Sequence, residues 1–198
     1  ASSVGGMIAI DFADTRRPVV RQVLFDFDAL GCALCIVDTG GNHADLTHEY
    51  AMIPQEMRSV AALFNQETLR GISMDALTQK AAEVRKKCGD RSLLRAMHFL
   101  KENDRVDDIV ASLAAKDYSQ FLGLITQSGN SSFRYLQNVY ANVAPQEQGL
   151  SVALCLAERF LNGQGACRVH GGGFGGTTQN FVPLDQVDRF RLMMEGVF

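Results

Sequence analysis

The clearest candidate for chemistry in this sequence is a glycine-rich segment at residues 168–178, in which five of the six residues 171–176 are glycine. Because glycine has no side chain and accepts positive φ angles, the backbone there can approach a ligand closely. Consecutive N–H groups can then point toward one spot and bind an anion, usually a phosphate. Such a segment is also typical of a tight turn between two strands, so the residues alone leave both interpretations open.

Two known motifs overlap this segment, and the residues around it exclude both. Gly171, Gly173 and Gly176 match the G-x-G-x-x-G pattern of dinucleotide-binding folds, but that pattern requires a helix to open at its last glycine. Residues 177–183 are instead rich in β-forming types and end at proline, which predicts a second strand. The run that begins at His170 has the form of an esterase oxyanion-hole segment, yet the sequence contains no G-x-S-x-G nucleophile elbow.

A second polar cluster lies at residues 38–50, where a predicted strand gives way to a predicted helix. Four of its side chains are of metal-ligating type, namely His43, Asp45, His48 and Glu49. Only Asp45 and His48 have the spacing that brings two residues to one helix face, and no second cluster supplies further ligands. Capping of the helix by Thr47 or Asp45 is the simpler explanation, and we therefore predict no metal site in this chain.

A polar stripe runs along the longest predicted helix. It contains Arg95, His98, Glu102 and Arg105, which recur at spacings of three and four residues and therefore share one helix face. We assign these side chains to structure, as the salt-bridged face of a helix that is apolar on its other side.

The composition is that of an ordinary folded protein. Its 198 residues suffice for one domain with a substantial core, and 46% of them are hydrophobic and 21% charged. The net charge of −3 argues against a nucleic-acid partner, and no run approaches the ~18 apolar residues that would indicate a membrane span. Five cysteines without a regular framework favour a reduced, cytoplasmic protein. Cys32 and Cys35 would face opposite sides of a strand, which argues against a redox or zinc pair.

The first part of the chain has the pattern of β-strands. Residues 6–12, 19–27 and 32–37 are rich in β-forming types and are separated by short connections. Because short connections join antiparallel strands, we predict a three-stranded antiparallel meander. Residues 45–160 then carry apolar residues at spacings of three and four, which predicts a block of helices, and we expect Pro54 to open or kink one of them.

The strand pattern returns at residues 166–170 and 177–182, on either side of the glycine-rich segment, and residues 184–194 have the pattern of a last helix. Strands, a block of helices, strands and a helix predict an α+β fold, with helices packed on one face of an antiparallel sheet. Because no repeat or linker interrupts the chain, we predict a single domain over residues 1–198.

Four segments together resemble the C-terminal half of galactokinases, in the GHMP superfamily that also holds homoserine, mevalonate and phosphomevalonate kinases. The glycine-rich segment resembles the third motif of that superfamily, G-[GA]-G-F-G-G. Residues 36–50 resemble the galactokinase stretch with H-x-L and S-x-Y, residues 95–105 its R-A-x-H-x-x-x-E-N-x-R helix, and residues 121–128 its F-G-x-L-M-x-x-S. The four segments keep the order and approximate spacing of the family.

The resemblance implies roles for two sets of residues. Tyr50 matches a tyrosine that contacts the sugar in the family. The loop that packs beside the nucleotide phosphates matches Gly171, Gly172, Gly173, Phe174, Gly175 and Gly176. A sugar substrate and the cofactors ATP and Mg²⁺ are thereby implied. The parent enzyme would transfer the γ-phosphoryl group of ATP to the anomeric hydroxyl of galactose or a related sugar.

Other parts that the family uses do not occur in this sequence, namely the G-L-S-S-S-A loop for ATP and the G-E-H-x-D sugar motif. Residues 1–6 resemble the segment that follows the family's M-D-Q. We therefore expect the catalytic aspartate just upstream of Ala1 and no catalytic residue within this chain. The resemblance implies a C-terminal domain, inactive alone, whose partner is its own N-terminal domain, the main binder of ATP and Mg²⁺.

The sequence departs from the family at three places. Ser128 and Gly129 stand where Ser-His is usual, residues 51–54 where an arginine pair is usual, and residues 145–148 where a P-E-L-D-like run is usual. The acceptor therefore stays open between galactose, a related sugar and the substrate of another GHMP small-molecule kinase. A non-catalytic α+β module that senses a small molecule or mediates assembly is the alternative of a different class.

Overall fold

The strands form two separate antiparallel sheets in a computed structural model, which describes residues 7–41 and 46–198. The first sheet is a hairpin of β1 (Met7–Asp11) and β2 (Val19–Val23). The second contains β3 (Cys32–Asp38), β4 (Ala166–Val169) and β5 (Thr177–Pro183) in the order β3-β5-β4. β5 is therefore the central strand, antiparallel to both neighbours, and the glycine-rich segment connects it to β4.

The predicted three-stranded meander is wrong, because β2 and β3 do not pair. A short helix, α1 (Phe27–Leu30), lies between them. The side chain of Asp26 caps its first turn by accepting hydrogen bonds from two backbone N–H groups, and Gly31 ends it in the left-handed conformation with φ 68°. β3 leaves this turn in a new direction and pairs over its whole length with β5 instead.

The remaining helices form one long block between β3 and β4, followed by a last helix after β5. They are α2 (Thr47–Ala62), α3 (Met74–Gln79), α4 (Ala81–Cys88), α5 (Asp90–Ala114), α6 (Tyr118–Ser131), α7 (Gly149–Leu161) and α8 (Val187–Glu195). The predicted helical block is thus confirmed for its described residues, although Pro54 lies inside α2 and not at its start. No helix in the described part of the chain combines the length and hydrophobicity that a bilayer span requires.

Helices cover both faces of the three-stranded sheet. Phe181 of β5 packs on one face with Phe121 of α6. The next residue, Val182, points to the opposite face and packs with Ala157 of α7 and Phe190 of α8. The predicted α+β class with antiparallel strands is confirmed, but the helices occupy two faces instead of one. Because the successive residues Phe181 and Val182 are both apolar and buried, each face of the sheet needs a cover at this point.

The polar stripe of α5 is buried and ties this helix to its neighbours. Arg95 is fully buried, forms an ion pair with Glu56 of α2 at 2.9 Å, and donates to the backbone oxygen of Leu136 at 3.0 Å. The Nδ1 atom of His98 lies 2.9 Å from the hydroxyl of Ser131 at the end of α6. The stripe therefore holds α2 and the end of α6 in place relative to α5.

α6 approaches β4 unusually closely at Gly129. A Cβ atom at this residue would lie 2.7 Å from the backbone oxygen of Cys167 and 3.1 Å from the Cβ of Arg168. The helix reaches this separation only because residue 129 has no side chain. The departure from the family's Ser-His at this position is thus a packing feature between helix and sheet.

Candidate functional site

The glycine-rich segment forms a folded loop between β4 and β5. Gly171 and Gly172 are exposed, whereas Gly173, Phe174, Gly175 and Gly176 are buried. The φ angle is 67° at Gly171, 81° at Gly173 and 125° at Gly176, and Phe174 also adopts a positive φ of 62°. A residue with a Cβ is strained at such angles, so the glycines permit the path that this loop takes.

The loop also packs too closely on its surroundings for larger residues. A Cβ at Gly173 would lie 2.0 Å from the backbone oxygen of Asn138, and one at Gly172 would lie 2.8 Å from the Cε1 atom of Tyr50. Both distances are shorter than real Cβ contacts. Glycine at these two positions therefore lets Tyr50 and Asn138 contact the loop backbone directly.

Two side chains from distant parts of the chain hold the loop carbonyls. The hydroxyl of Tyr50 donates to the carbonyl of Gly173 at 2.7 Å, although the two residues are 123 positions apart. The Nδ2 of Asn138 donates to the carbonyl of Gly172 at 3.1 Å. The backbone oxygen of Asn138 accepts a hydrogen bond from the N–H of Phe174. The loop is therefore anchored at two successive carbonyls and at the N–H group that follows them.

Three successive N–H groups of the loop make no hydrogen bond to any described residue. They belong to Gly171, Gly172 and Gly173. Backbone N–H groups are strong donors that seek an acceptor, and a row of them in a loop with positive φ angles forms a concavity for anions. The arrangement therefore fits the phosphate-contacting interpretation of the glycine-rich segment better than that of a self-satisfied turn.

Tyr50 lies in the first turn of α2, which brings it to the loop. Its ring meets that of Phe174 edge to face, with the ring centroids 5.2 Å apart and the planes at 90°. Partial burial raises the pKa of the Tyr50 phenol above its ordinary value, so the group is a neutral donor at physiological pH. The structure thus places the predicted sugar-contacting residue in direct contact with the predicted phosphate loop.

Asn138 was not found from the sequence. Within the predicted helical block, the residues before it form a single π-helical turn, Ser132–Leu136, which Gln137 ends in the left-handed conformation with φ 56°. This ending directs the next residue, Asn138, toward the glycine loop, where it is 2% exposed. A lone asparagine after a helix carries no motif, so only the three-dimensional contact identifies it.

The end of β3 and the start of α2 close the other side of the loop. Thr39 donates to the carbonyl of Gly176 through both its N–H, at 3.0 Å, and its hydroxyl, at 2.7 Å. The carboxylate of Glu49 is buried and accepts a hydrogen bond from the N–H of Asn142 at 3.2 Å. Glu49 therefore holds the segment that follows Asn138, which is a structural role and not the metal ligation considered above.

The structure describes only part of the polar cluster at residues 38–50. His43 and Asp45 lie outside the described residues, and His48 is exposed on α2. The predicted helix cap at Thr47 is wrong, since α2 begins after Leu46 without a side-chain cap. Within residues 7–41 and 46–198, no three His, Cys, Asp or Glu side chains are grouped so as to hold a metal ion. The absence of a metal site in the whole chain stays a prediction.

The chemistry available at the loop is binding and orientation. Among the described residues, the side chains that donate to the carbonyls of residues 171–176 are those of Tyr50, Asn138 and Thr39, none of which is charged at neutral pH. The loop can hold an anion through its N–H groups, whereas these side chains supply no general base at neutral pH. A site of this kind orients a substrate for groups that lie elsewhere.

Comparison with known proteins points to one family, although no family model matches the sequence. The chain is 30% identical to the galactokinase of Mannheimia succiniciproducens over 159 residues, which are 80% of this chain and 39% of that protein. It is 30% identical to the galactokinase of Streptomyces coelicolor over 192 residues, or 94% of this chain and 46% of that protein.

A solved structure shares the fold. The crystal structure of Lactococcus lactis galactokinase complexed with galactose matches this chain with a TM-score of 0.74 at 20% sequence identity. The match covers 97% of this chain and 47% of that one, so the chain spans less than half the length of the galactokinases it matches. In sequence and in fold the chain is therefore a relative of the galactokinases, matched along most of its own length and along less than half of theirs.

Proposed function

We propose that this chain is the C-terminal domain of an ATP-dependent sugar kinase that phosphorylates galactose or a related sugar at the anomeric hydroxyl. The observation that carries the proposal is the row of three N–H groups at Gly171, Gly172 and Gly173 that bond to no described residue, beside Tyr50, in a relative of galactokinases. In this role the loop forms one wall of the cleft in which the nucleotide and the sugar meet.

The loop contributes electrostatic stabilisation in this proposal. Phosphoryl transfer depends mainly on positioning and on neutralising the charge of the phosphate oxygens. N–H groups that already point toward the phosphates do this without reorganising during the reaction. Gly171, Gly172 and Gly173 donate to those oxygens, while the buried residues Phe174, Gly175 and Gly176 support the loop from behind.

Tyr50 stands on the sugar side of the same cleft. Because its hydroxyl donates to the carbonyl of Gly173, the tyrosine and the phosphate loop move together. A sugar placed against Tyr50 is thereby kept in register with a phosphate placed against the loop. Such coupling of two substrates is what an enzyme needs to bring a hydroxyl in line with a phosphoryl group.

The remaining catalytic parts belong to an N-terminal domain in this proposal. The catalytic aspartate, the main ATP-binding loop and the Mg²⁺ ligands lie there, and that domain is the partner of this one. Mg²⁺ would neutralise charge on the phosphates of ATP when bound. The five cysteines of the chain are all free, which fits the reducing conditions of the cytoplasm.

The activity is tested on the intact protein with a panel of sugars, by following ADP release. Turnover with galactose or a related aldose is the expected result, and no turnover with any aldose would refute the proposal. A positive result with a non-sugar alcohol would instead assign the protein to another branch of the superfamily.

The role of the loop is tested by a matched pair of glycine variants. Gly171 and Gly31 are both exposed, have φ angles of 67° and 68°, and would have nothing within 4 Å of an added Cβ. Gly171→Val and Gly31→Val therefore impose similar backbone strain, but only the first places a side chain in front of the loop. Calorimetry should show weaker Mg²⁺-ATP binding in Gly171→Val alone, and equal binding in both variants would exclude the loop from the nucleotide site.

A further inference from the structure

We propose that Asn138 is a positioning residue that sets the direction of the Gly173 N–H group, one of the three loop donors that bond to no described residue. The inference rests on the function proposed above, because it assigns those N–H groups to the nucleotide. It concerns a residue that touches the loop from the end of the π-helical turn and that has no place in the motifs of the sequence.

The direction of a peptide N–H is set by the carbonyl of the same peptide unit. In a trans peptide the C=O of one residue and the N–H of the next point in opposite directions within one rigid plane. The described chain contains no cis peptide bond. When the Nδ2 of Asn138 holds the carbonyl of Gly172, the N–H of Gly173 must therefore point away from Asn138.

The next peptide unit, between Gly173 and Phe174, has the reverse orientation, with its N–H toward Asn138 and its carbonyl toward Tyr50. The hydroxyl of Tyr50 holds the carbonyl of Gly173, and the N–H of Phe174 in the same unit donates to the backbone oxygen of Asn138. Asn138 thus binds one carbonyl and one N–H that lie two residues apart. This double attachment determines the turn of the backbone at Gly173 and with it the direction of the Gly173 N–H.

One atom of Asn138 indicates that its orientation serves the loop. The Oδ1 atom is buried and has no hydrogen-bond partner among the described residues. An unpaired buried acceptor destabilises the fold, a cost that an apolar side chain of similar size would avoid. Turning the amide over would place Oδ1 against the carbonyl of Gly172, two acceptors facing each other, so the donor must stay where it is.

Asn180 on β5 provides a matched control. It is also fully buried, donates through Nδ2 to a backbone carbonyl, that of Cys35 at 3.2 Å, and leaves its Oδ1 atom without a described partner. Its Nδ2 also donates to the hydroxyl of Thr178 within β5 at 3.0 Å, but no hydrogen bond joins Asn180 to residues 171–176 of the described chain. Replacing either asparagine by leucine removes the same kind of group from the same kind of environment, but only Asn138→Leu releases the loop.

The first experiment compares these two leucine variants in the intact protein. Mg²⁺-ATP affinity is measured by calorimetry and stability by the urea midpoint. We expect Asn138→Leu to weaken Mg²⁺-ATP binding about tenfold, as the loss of one well-placed donor would, and Asn180→Leu to bind as the wild type does. Binding by a folded Asn138→Leu variant within twofold of wild type overturns the inference.

A second variant keeps the inference testable if Asn138→Leu fails to fold. In Asn138→Asp the protonated carboxyl can still donate to the carbonyl of Gly172, whereas the ionised form cannot and adds a negative charge beside the anion site. The ratio of variant to wild-type Mg²⁺-ATP affinity should therefore fall as the pH rises from 5.5 to 8. A ratio that does not change with pH in the folded variant refutes the positioning role.

The two proposals fail in different ways. If the wild-type protein neither binds Mg²⁺-ATP nor turns over any sugar, the proposed function fails and the role of Asn138 with it. If the wild type binds and reacts while the Asn138 variants keep its affinity and its pH profile, only the role of Asn138 fails.

Discussion

Replacement of Gly173 by alanine tests whether the loop depends on its close contact with Asn138. The added methyl group would lie 2.0 Å from the backbone oxygen of Asn138 and 2.7 Å from its Nδ2 atom. The loop must then move away, and the two hydrogen bonds that join it to Asn138 are lost, each worth about 1 kcal/mol net. The left-handed conformation costs about 1–2 kcal/mol more once a Cβ is present. The free energy of unfolding should thus fall by about 3–4 kcal/mol in all.

Gly163 is the control for the backbone strain alone. Its φ angle is also 81°, but an added Cβ would meet nothing within 4 Å. Gly163→Ala should therefore cost only the ~1–2 kcal/mol of the left-handed conformation. For a chain of this size the difference of about 2 kcal/mol between the variants corresponds to about 4–8 °C in Tm. Urea and thermal unfolding followed by circular dichroism would measure both, and equal losses in the two variants would refute the contact.

Three further predictions concern single side chains. Tyr50→Phe removes the hydroxyl that holds the carbonyl of Gly173, so the urea midpoint should fall by the equivalent of about 1 kcal/mol, and an unchanged midpoint would contradict that bond. Burial holds the pKa of His98 below its ordinary 6.5, so the unfolded chain binds more protons below that pH. The urea midpoint should therefore drop between pH 7.5 and pH 5.5, and should drop less in His98→Gln. Burial raises the pKa of Cys167 to about 11, so iodoacetamide at pH 8 should label the exposed Cys155 and spare Cys167, as peptide mass spectrometry would show.

Local patterns in the sequence predicted where the helices and strands lie better than they predicted which strands pair. The glycine loop between two strands and the helical block follow from turn chemistry and periodicity, which are properties of neighbouring residues. The pairing of β3 with β5 joins residues more than a hundred positions apart, such as Asp38 and Thr177. The short connection before β3 favoured a meander, but that connection contains α1, capped by Asp26, and β3 pairs with β5 instead of β2.

The candidate site was predictable where it carries a motif and hidden where it does not. Tyr50 and the glycine loop were identified because their residue types and spacing match a family. Asn138 reaches the loop only because a π-helical turn ends at Gln137 in a left-handed conformation, and neither event has a pattern that sequence reasoning recognises. Glu49 was a candidate metal ligand by type, and its burial against the N–H of Asn142 gave it another role.

The close approach of α6 to β4 has a consequence for substitution at Gly129. The obstacle to a side chain at Gly129 is chiefly the backbone oxygen of Cys167, at 2.7 Å, so no smaller residue at Arg168 would make room. A Cβ would need about 0.7 Å more space to reach the ordinary contact distance of 3.4 Å, and only a shift of the whole helix provides it. A substitution that adds a side chain at this position is therefore accommodated only if α6 moves away from β4 and the core between them loosens. Gly129 thus limits the single substitutions that this contact between helix and sheet tolerates.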